Sequence, residues 1–309
     1  MPRTARIKDN NGIYHIMIRS ISEVQLFKCN ADRDKFLELL AKYQKLYLFK
    51  IYGFCLLGSH AHFIIASNGA DISKFMKSIN QSYAFYYNKK YNRHGHLFQD
   101  RFKSKLVPSY SYLLTLSAYI HNNAKDIPNY SKRIEKYAYS SLKTYLNVSN
   151  NPLGLVDVSY ILNLFDDNFN EAKHNYFELL KHYLENKKGT LSDNLDFKNE
   201  HTKYISGKNM ITRNYSPEDI ISFINQYTNG LNIHLKYYHA NTERRAITVF
   251  LLKAFCDYSN IDIANYIGNI TTSQISKLCS KALIIIQNNP TYHGIIDDFI
   301  SYINPEKNA

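Results

Sequence analysis

Two histidines one residue apart, His60-Ala61-His62, stand at the start of the apolar run HAHFIIA. If that run is a strand, its period of two puts both imidazoles on one face, pointing the same way. Two such rings can grip one divalent ion. Tyr119 and Asn123 lie four apart in a stretch with helical spacing, so they share a helix face. A tyrosine can attack a phosphodiester and hold the broken strand covalently. It then needs a cation to polarise the phosphate and absorb charge in the transition state. Two histidines and one amide or carboxylate oxygen supply such a site, with Mg²⁺ or Mn²⁺ as the ion; imidazole suits Mn²⁺ better than an all-oxygen site would.

These groups must be positioned by an alternation of strands and helices. Residues 13–19 (IYHIMIR) are rich in β-formers, and residues 32–46 carry Phe36, Leu37, Leu39, Leu40 and Tyr43 at helical spacing. Residues 49–57 form a second strand, Gly58-Ser59 a turn, and residues 60–66 a third strand that closes a hairpin. An amphipathic helix follows over 72–91, capped by Asp71 or Ser73, then a strand over 102–107 and a helix from Pro108-Ser109 to about Asn123. The order βαββαβ plus a helix predicts an α+β fold, the ferredoxin-like split βαβ arrangement. Helices are expected at 158–165, 171–184 and 217–227, the last with Ser216 as cap and Pro217 in its first turn. Three more are expected between Glu243 and Gln287, with breaks near 257–260 and 268–271. The domains expected are 1–150, a helical extension at 151–186, a linker or irregular segment at 187–216, and an all-α C-terminal region at 217–309.

Charge separates the two halves. Residues 1–150 hold 23 Lys+Arg against 9 Asp+Glu, a net of +14; residues 151–309 hold 15 against 17, a net of −2. A basic half beside a near-neutral one points to a polyanion held by the first. Arg93, His94, His96, Arg101, Lys103 and Lys105, with Phe98 and Phe102 interleaved, form a basic cluster suited to phosphate contact with stacking. His15 reads as structural, and His121 as facing away from Tyr119. The four cysteines form no CxxC pair and fit neither a disulfide framework nor a zinc site. No apolar run has transmembrane length and residues 1–10 lack the apolar core of a signal peptide. No membrane partner is expected, and a cytoplasmic location is the default.

Several stretches in order resemble the single-tyrosine HUH transposases, and most closely the REP-associated tyrosine transposases. They are Gly12-Ile13-Tyr14-His15-Ile16 with Arg19; Asp32-Arg33-Asp34-Lys35-Phe36-Leu37; Tyr52-Gly53-Phe54-Cys55-Leu56-Leu57 leading into the two histidines; Ile72-Ser73-Lys74-Phe75-Met76 with Tyr83; residues 95–104 (GHLFQDRFKS); and Tyr112-Leu113-Leu114 running into Tyr119-Ile120-His121. The resemblance implies that His60 and His62 bind the metal and that Asn123 completes its site. It implies that Tyr119 forms a 5′-phosphotyrosine bond and leaves a 3′-OH. It further implies a homodimer acting on single-stranded DNA beside a small hairpin, with Arg3, Arg6 and Lys8 of a basic arm reading bases and Arg19 among the DNA contacts. The chain departs from the family at Gly58-Ser59 (usually Pro-Asn), Ser20-Ile21 (usually Gly-Asn after the arginine) and Ala124-Lys125-Asp126 (usually Pro-Val-Arg). These changes bear on hairpin recognition; the chemical residues are all present. Residues 243–286 resemble the helix-turn-helix at the end of the replication initiator DnaA, whose recognition helix would present Thr272, Ser273, Gln274 and Lys277.

Other classes fit less well. A non-catalytic DNA-binding regulator on the same scaffold is the alternative, and the presence of both histidines and the tyrosine weighs against it. Relaxases and rolling-circle initiators commonly carry a further histidine or paired tyrosines. An RNA-binding ferredoxin-like module has no RNP-like aromatic signature to support it.

Overall fold

The computed structural model describes residues 9, 12–22, 24–146, 151–185, 215–228, 241–256 and 258–303. The chain divides into two compact units, Met1–Gln44 with Phe49–Met210 and Lys45–Leu48 with Ile211–Ala309.

Among its described residues the first unit has, in order, β1 (Ile13–Arg19), α1 (Asn30–Tyr47), β2 (Lys50–Leu56), β3 (His60–Ala66), α2 (Ile72–Lys90), β4 (Lys103–Leu106), α3 (Tyr110–Asn122), α4 (Leu142–Leu146), α5 (Ser159–Leu162) and α6 (Phe169–Glu185). The sheet runs β2-β3-β1-β4 with every neighbouring pair antiparallel. β1 and β2 are therefore parallel with β3 between them, and β3 and β4 are parallel with β1 between them. This is the split βαβ arrangement expected from the order of elements.

Register sorts the side chains onto two faces. Opposite His60, His62 and Ile64 on β3 stand Arg19, Met17 and His15 on β1. Opposite Met17 and His15 on the other side stand Lys103 and Lys105 of β4. Directly paired residues share a face, so the histidines and these cations lie on one side of the sheet. The other side presents Tyr14, Ile16, Ile18, Ala61, Phe63 and Ile65, all buried. There α1 and α2 pack through Phe36, whose ring meets Phe63 at 5.9 Å and Tyr83 at 5.0 Å. The apolar face makes the core and leaves the polar face for α3.

The β2 edge is covered rather than exposed, which removes a template for unwanted pairing. Leu56 N–H donates to Tyr139 O (2.9 Å) and Ser141 N–H to Phe54 O (3.0 Å), while Asp157 N–H donates to Ile51 O (2.9 Å). The helical extension is thus tied to the sheet by backbone hydrogen bonds, and α6 closes over α3. The expected linker at 187–216 lies outside the described residues except for Tyr215 and Ser216.

The second unit is helical: α7 (Pro217–Tyr227), α8 (Asn241–Phe255), α9 (Asn260–Ile267), α10 (Thr272–Asn288) and α11 (Ile295–Ile303). Its core is Ile220, Phe223, Phe250, Ile263, Ile267, Ile275, Ala282 and Phe299. Three of its helices start on reciprocal capping boxes, Ser216 with Asp219, Ser259 with Asp262 and Thr271 with Gln274. α9 and α10 are joined through Gly268 (φ 71°) and Asn269 (φ 48°), left-handed positions that glycine and asparagine adopt at least cost.

Candidate active site

His60 opens β3 and is half-buried; His62, two residues in, is almost fully buried. Their ring centroids are 5.2 Å apart and nearly perpendicular. The shared face expected from the strand period is what the register gives. His60 Nδ1 lies 3.0 Å from Ser59 Oγ. His62 Nδ1 lies 3.0 Å from His15 Nε2, and the two rings stack with centroids 5.2 Å apart.

α3 brings the tyrosine. Its N-cap is Ser109, whose Oγ accepts from Tyr112 N–H at 3.2 Å. Leu113, Leu116 and Ile120 bury the helix and hold Tyr119, itself half-buried, over the polar face of the sheet. The Tyr119 ring stands edge-on to His62 at 5.8 Å and to His15 at 6.2 Å. Asn123, one turn later and nearly buried, donates from Nδ2 to Tyr119 O at 2.9 Å. Of the residues predicted from spacing, the structure brings Tyr119 beside His62, and Asn123 stands on the helix end that carries the tyrosine.

His15 corrects the sequence reading. It is not simply structural: it is fully buried and packs against both His62 and Tyr119, inside the site. Burial, and then the nearby His62 and Lys105, hold its pKa well below the ordinary imidazole value, so it is neutral at pH 7. The signal was available in its alternation with Arg19 along β1, but only the pairing of β1 with β3 places it against His62. His121 does face away from Tyr119. It is locked by Tyr176 OH at 2.6 Å and Ser141 Oγ at 2.7 Å, and burial lowers its pKa to about 3.

Basic residues ring the same face. Arg19 and Lys103 are exposed and Lys105 is half-buried. The 91–102 loop is held against the end of β1 by Ile21 N–H to Leu97 O (3.1 Å) and Gln99 N–H to Arg19 O (3.0 Å). Ser20 N–H donates to Ser59 O (2.9 Å), so that loop, Arg19 and the histidine hairpin meet at one end of the sheet. Arg101 is exposed there, whereas Arg93 is half-buried and lies 3.4 Å from Asn88 Oδ1. Phe102 is buried and presents no stacking surface. Arg3, Arg6 and Lys8 lie outside the described residues. In the second unit Thr272, Ser273, Gln274 and Lys277 are all exposed at the start of α10, with the Gln274 amide oxygen engaged by Thr271 N–H at 2.9 Å. Among the described residues no helix is long and apolar enough to cross a membrane.

No match was found among curated proteins. A solved structure described as "Structure of the REP associates tyrosine transposase bound to a REP hairpin" is similar over 51% of this chain and 93% of that chain, at 16% identity and a TM-score of 0.42. Residues 8–123 match the family model described as "Transposase IS200 like". Over that stretch, which holds the whole sheet, the two strand histidines, Tyr119 and Asn123, the chain is similar to IS200-like transposases.

Proposed function

We propose that this protein nicks and rejoins single-stranded DNA through a covalent bond to Tyr119. The observation that carries the reading is the Tyr119 ring set edge-on to His62 at 5.8 Å, above a sheet face bearing His60, Arg19, Lys103 and Lys105. The Tyr119 phenolic oxygen gives up its proton and bonds to the scissile phosphorus. The bond from phosphorus to the 3′ oxygen breaks, and that oxygen takes a proton to leave as a 3′-OH. The 5′ phosphate stays on the tyrosine, and attack by another 3′-OH reverses the step and transfers the strand.

Donor chemistry supports a divalent ion, Mg²⁺ or Mn²⁺. Ser59 and His15 engage the Nδ1 atoms of His60 and His62, so Nε2 is the nitrogen that each would offer to an ion. Asn123 uses its Nδ2 on the helix end and would offer Oδ1. Among the described residues no three His, Cys, Asp or Glu side chains are grouped to hold an ion. The proposed set is therefore two imidazoles, one amide oxygen and oxygens from the phosphate. When bound, the ion polarises the scissile phosphate. The resemblance to REP-associated transposases extends the proposal to hairpin-bearing repeats as substrate and a homodimer as the acting form, and the separate resemblance of residues 243–286 to the DnaA helix-turn-helix extends it to DNA contact by α9 and α10.

The test is a denaturing gel of labelled single-stranded oligonucleotides drawn from palindromes flanking the gene, incubated with the protein and Mn²⁺ or Mg²⁺. A metal-dependent covalent adduct that disappears in Tyr119→Phe is the expected outcome. An adduct that survives in Tyr119→Phe moves the nucleophile elsewhere. Tight hairpin binding with no adduct replaces the enzyme by a DNA-binding regulator.

A further inference from the structure

A neutral histidine has one protonated ring nitrogen and one lone pair, and the hydrogen bond at one nitrogen decides which atom is left to ligate. His62 Nδ1 and His15 Nε2 face each other at 3.0 Å, with His15 0% and His62 2% exposed. At that distance one nitrogen donates and the other accepts. Two neutral arrangements satisfy the pair. If His15 Nε2–H donates, His62 accepts at Nδ1 and its own proton sits on Nε2, the atom needed for coordination. If His62 Nδ1–H donates, His15 accepts at Nε2 and the lone pair of His62 is on Nε2. Only the second arrangement makes His62 a ligand. The geometry holds the partner firmly: the rings stack at 28°, and the Tyr119 ring meets His15 edge-on at 6.2 Å and 76°. β1 fixes His15 from below through its register with Ile64 of β3 and Lys105 of β4.

We propose that His15 is a positioning residue, which accepts a hydrogen bond from His62 Nδ1–H and thereby fixes His62 in the tautomer whose Nε2 can bind a divalent ion. The proposal rests on the metal reading of the site, and its primary test does not require metal. Two-bond ¹H–¹⁵N correlation spectra of the full-length, ¹⁵N-histidine-labelled protein report which nitrogen of each imidazole carries the proton. His62 and His15 are assigned by the signals lost in His62→Gln and His15→Gln. The expected result in metal-free wild type is a protonated Nδ1 and an unprotonated Nε2 on His62. A protonated Nε2 on His62 overturns the proposal.

Mn²⁺ binding, followed by electron paramagnetic resonance, gives the second readout. His15→Phe keeps a ring in the same space but offers no acceptor, and is expected to weaken Mn²⁺ binding by about 10–100-fold. His15→Gln, whose amide oxygen can accept from Nδ1–H, is expected to recover most of that loss, and thermal melting without metal separates both from unfolding. His15→Phe binding Mn²⁺ as wild type does, while His62→Ala loses it, also overturns the proposal. Wild type that binds no Mn²⁺ yet shows the Nδ1–H tautomer supports the role of His15 and removes the metal reading instead.

Discussion

Asp32 shows what a single buried charge contributes away from the chemistry. Its Oδ1 accepts from Lys90 Nζ at 2.6 Å and Tyr86 OH at 3.3 Å, and its Oδ2 from Tyr91 OH at 2.8 Å and the N–H groups of Lys28 and Cys29. It ties the start of α1 to the end of α2, the two helices behind the histidine-bearing sheet. Burial pushes its pKa up, but the hydrogen bonds from Lys90, Tyr91, Cys29 N–H and Lys28 N–H together outweigh it, and the net shift is downward. A folded-state pKa below the unfolded one stabilises the protein above the unfolded value, and that stability is lost as pH falls through the folded value. Asp32→Asn is therefore expected to cost about 1.5–3 kcal/mol at pH 7. In urea titrations the gap from wild type should narrow as pH is lowered below the ordinary value of 3.8. A gap that holds constant into acid would remove the carboxylate's charge from the account. Residues of this kind are hard to read from sequence, because Asp32 meets Lys90 across 58 positions and His15 meets His62 across 47. His60 with His62 and Tyr119 with Asn123 were legible, because their relation is the local period of a strand and of a helix.

At the level of elements, legibility follows the same divide between local and distant causes. β1, β3 and α7 have the bounds that their patterns predict, and Asp71 caps α2 and Ser216 caps α7 as expected. β4 is shorter than the run 102–107, and α11 went unread because its nine residues follow Gly294 with no capping signal. α3 is the element on which the proposed chemistry depends, since it holds Tyr119 against the sheet. Its first turn relies on the Ser109 side chain, and loss of such a cap costs about 1 kcal/mol. Ser109→Ala is expected to speed amide exchange over residues 110–122 by roughly fivefold, the equivalent of that energy. Ser109→Asp, which caps as well, should leave exchange as in wild type. Exchange unchanged in Ser109→Ala would mean that burial of Leu113, Leu116 and Ile120 alone holds the helix.

Across the whole molecule, charge and architecture point to the same face. The net +14 of residues 1–150 is not spread evenly over the first unit, because one face of its sheet is apolar and covered by α1 and α2. Arg19, Lys103 and Lys105 stand instead on the face of the histidines, with Arg101 exposed in the loop held against its end. A single strand crossing Tyr119 would run along these cations, and each phosphate they neutralise releases counterions. Binding should then weaken with salt, the logarithmic slope changing by about 0.7 for each contact on single-stranded DNA. The triple variant Arg19→Ala, Lys103→Ala, Lys105→Ala is expected to flatten that slope by about 2, measured by fluorescence anisotropy of a labelled oligonucleotide across a salt series. Lys277→Ala, in the unit whose half of the chain is near neutral, should leave the single-strand slope unchanged. The two variants thus assign the phosphate contacts. A slope flattened by Lys277→Ala and not by the triple variant would move the strand from the histidine face to α10, and would detach DNA binding from Tyr119.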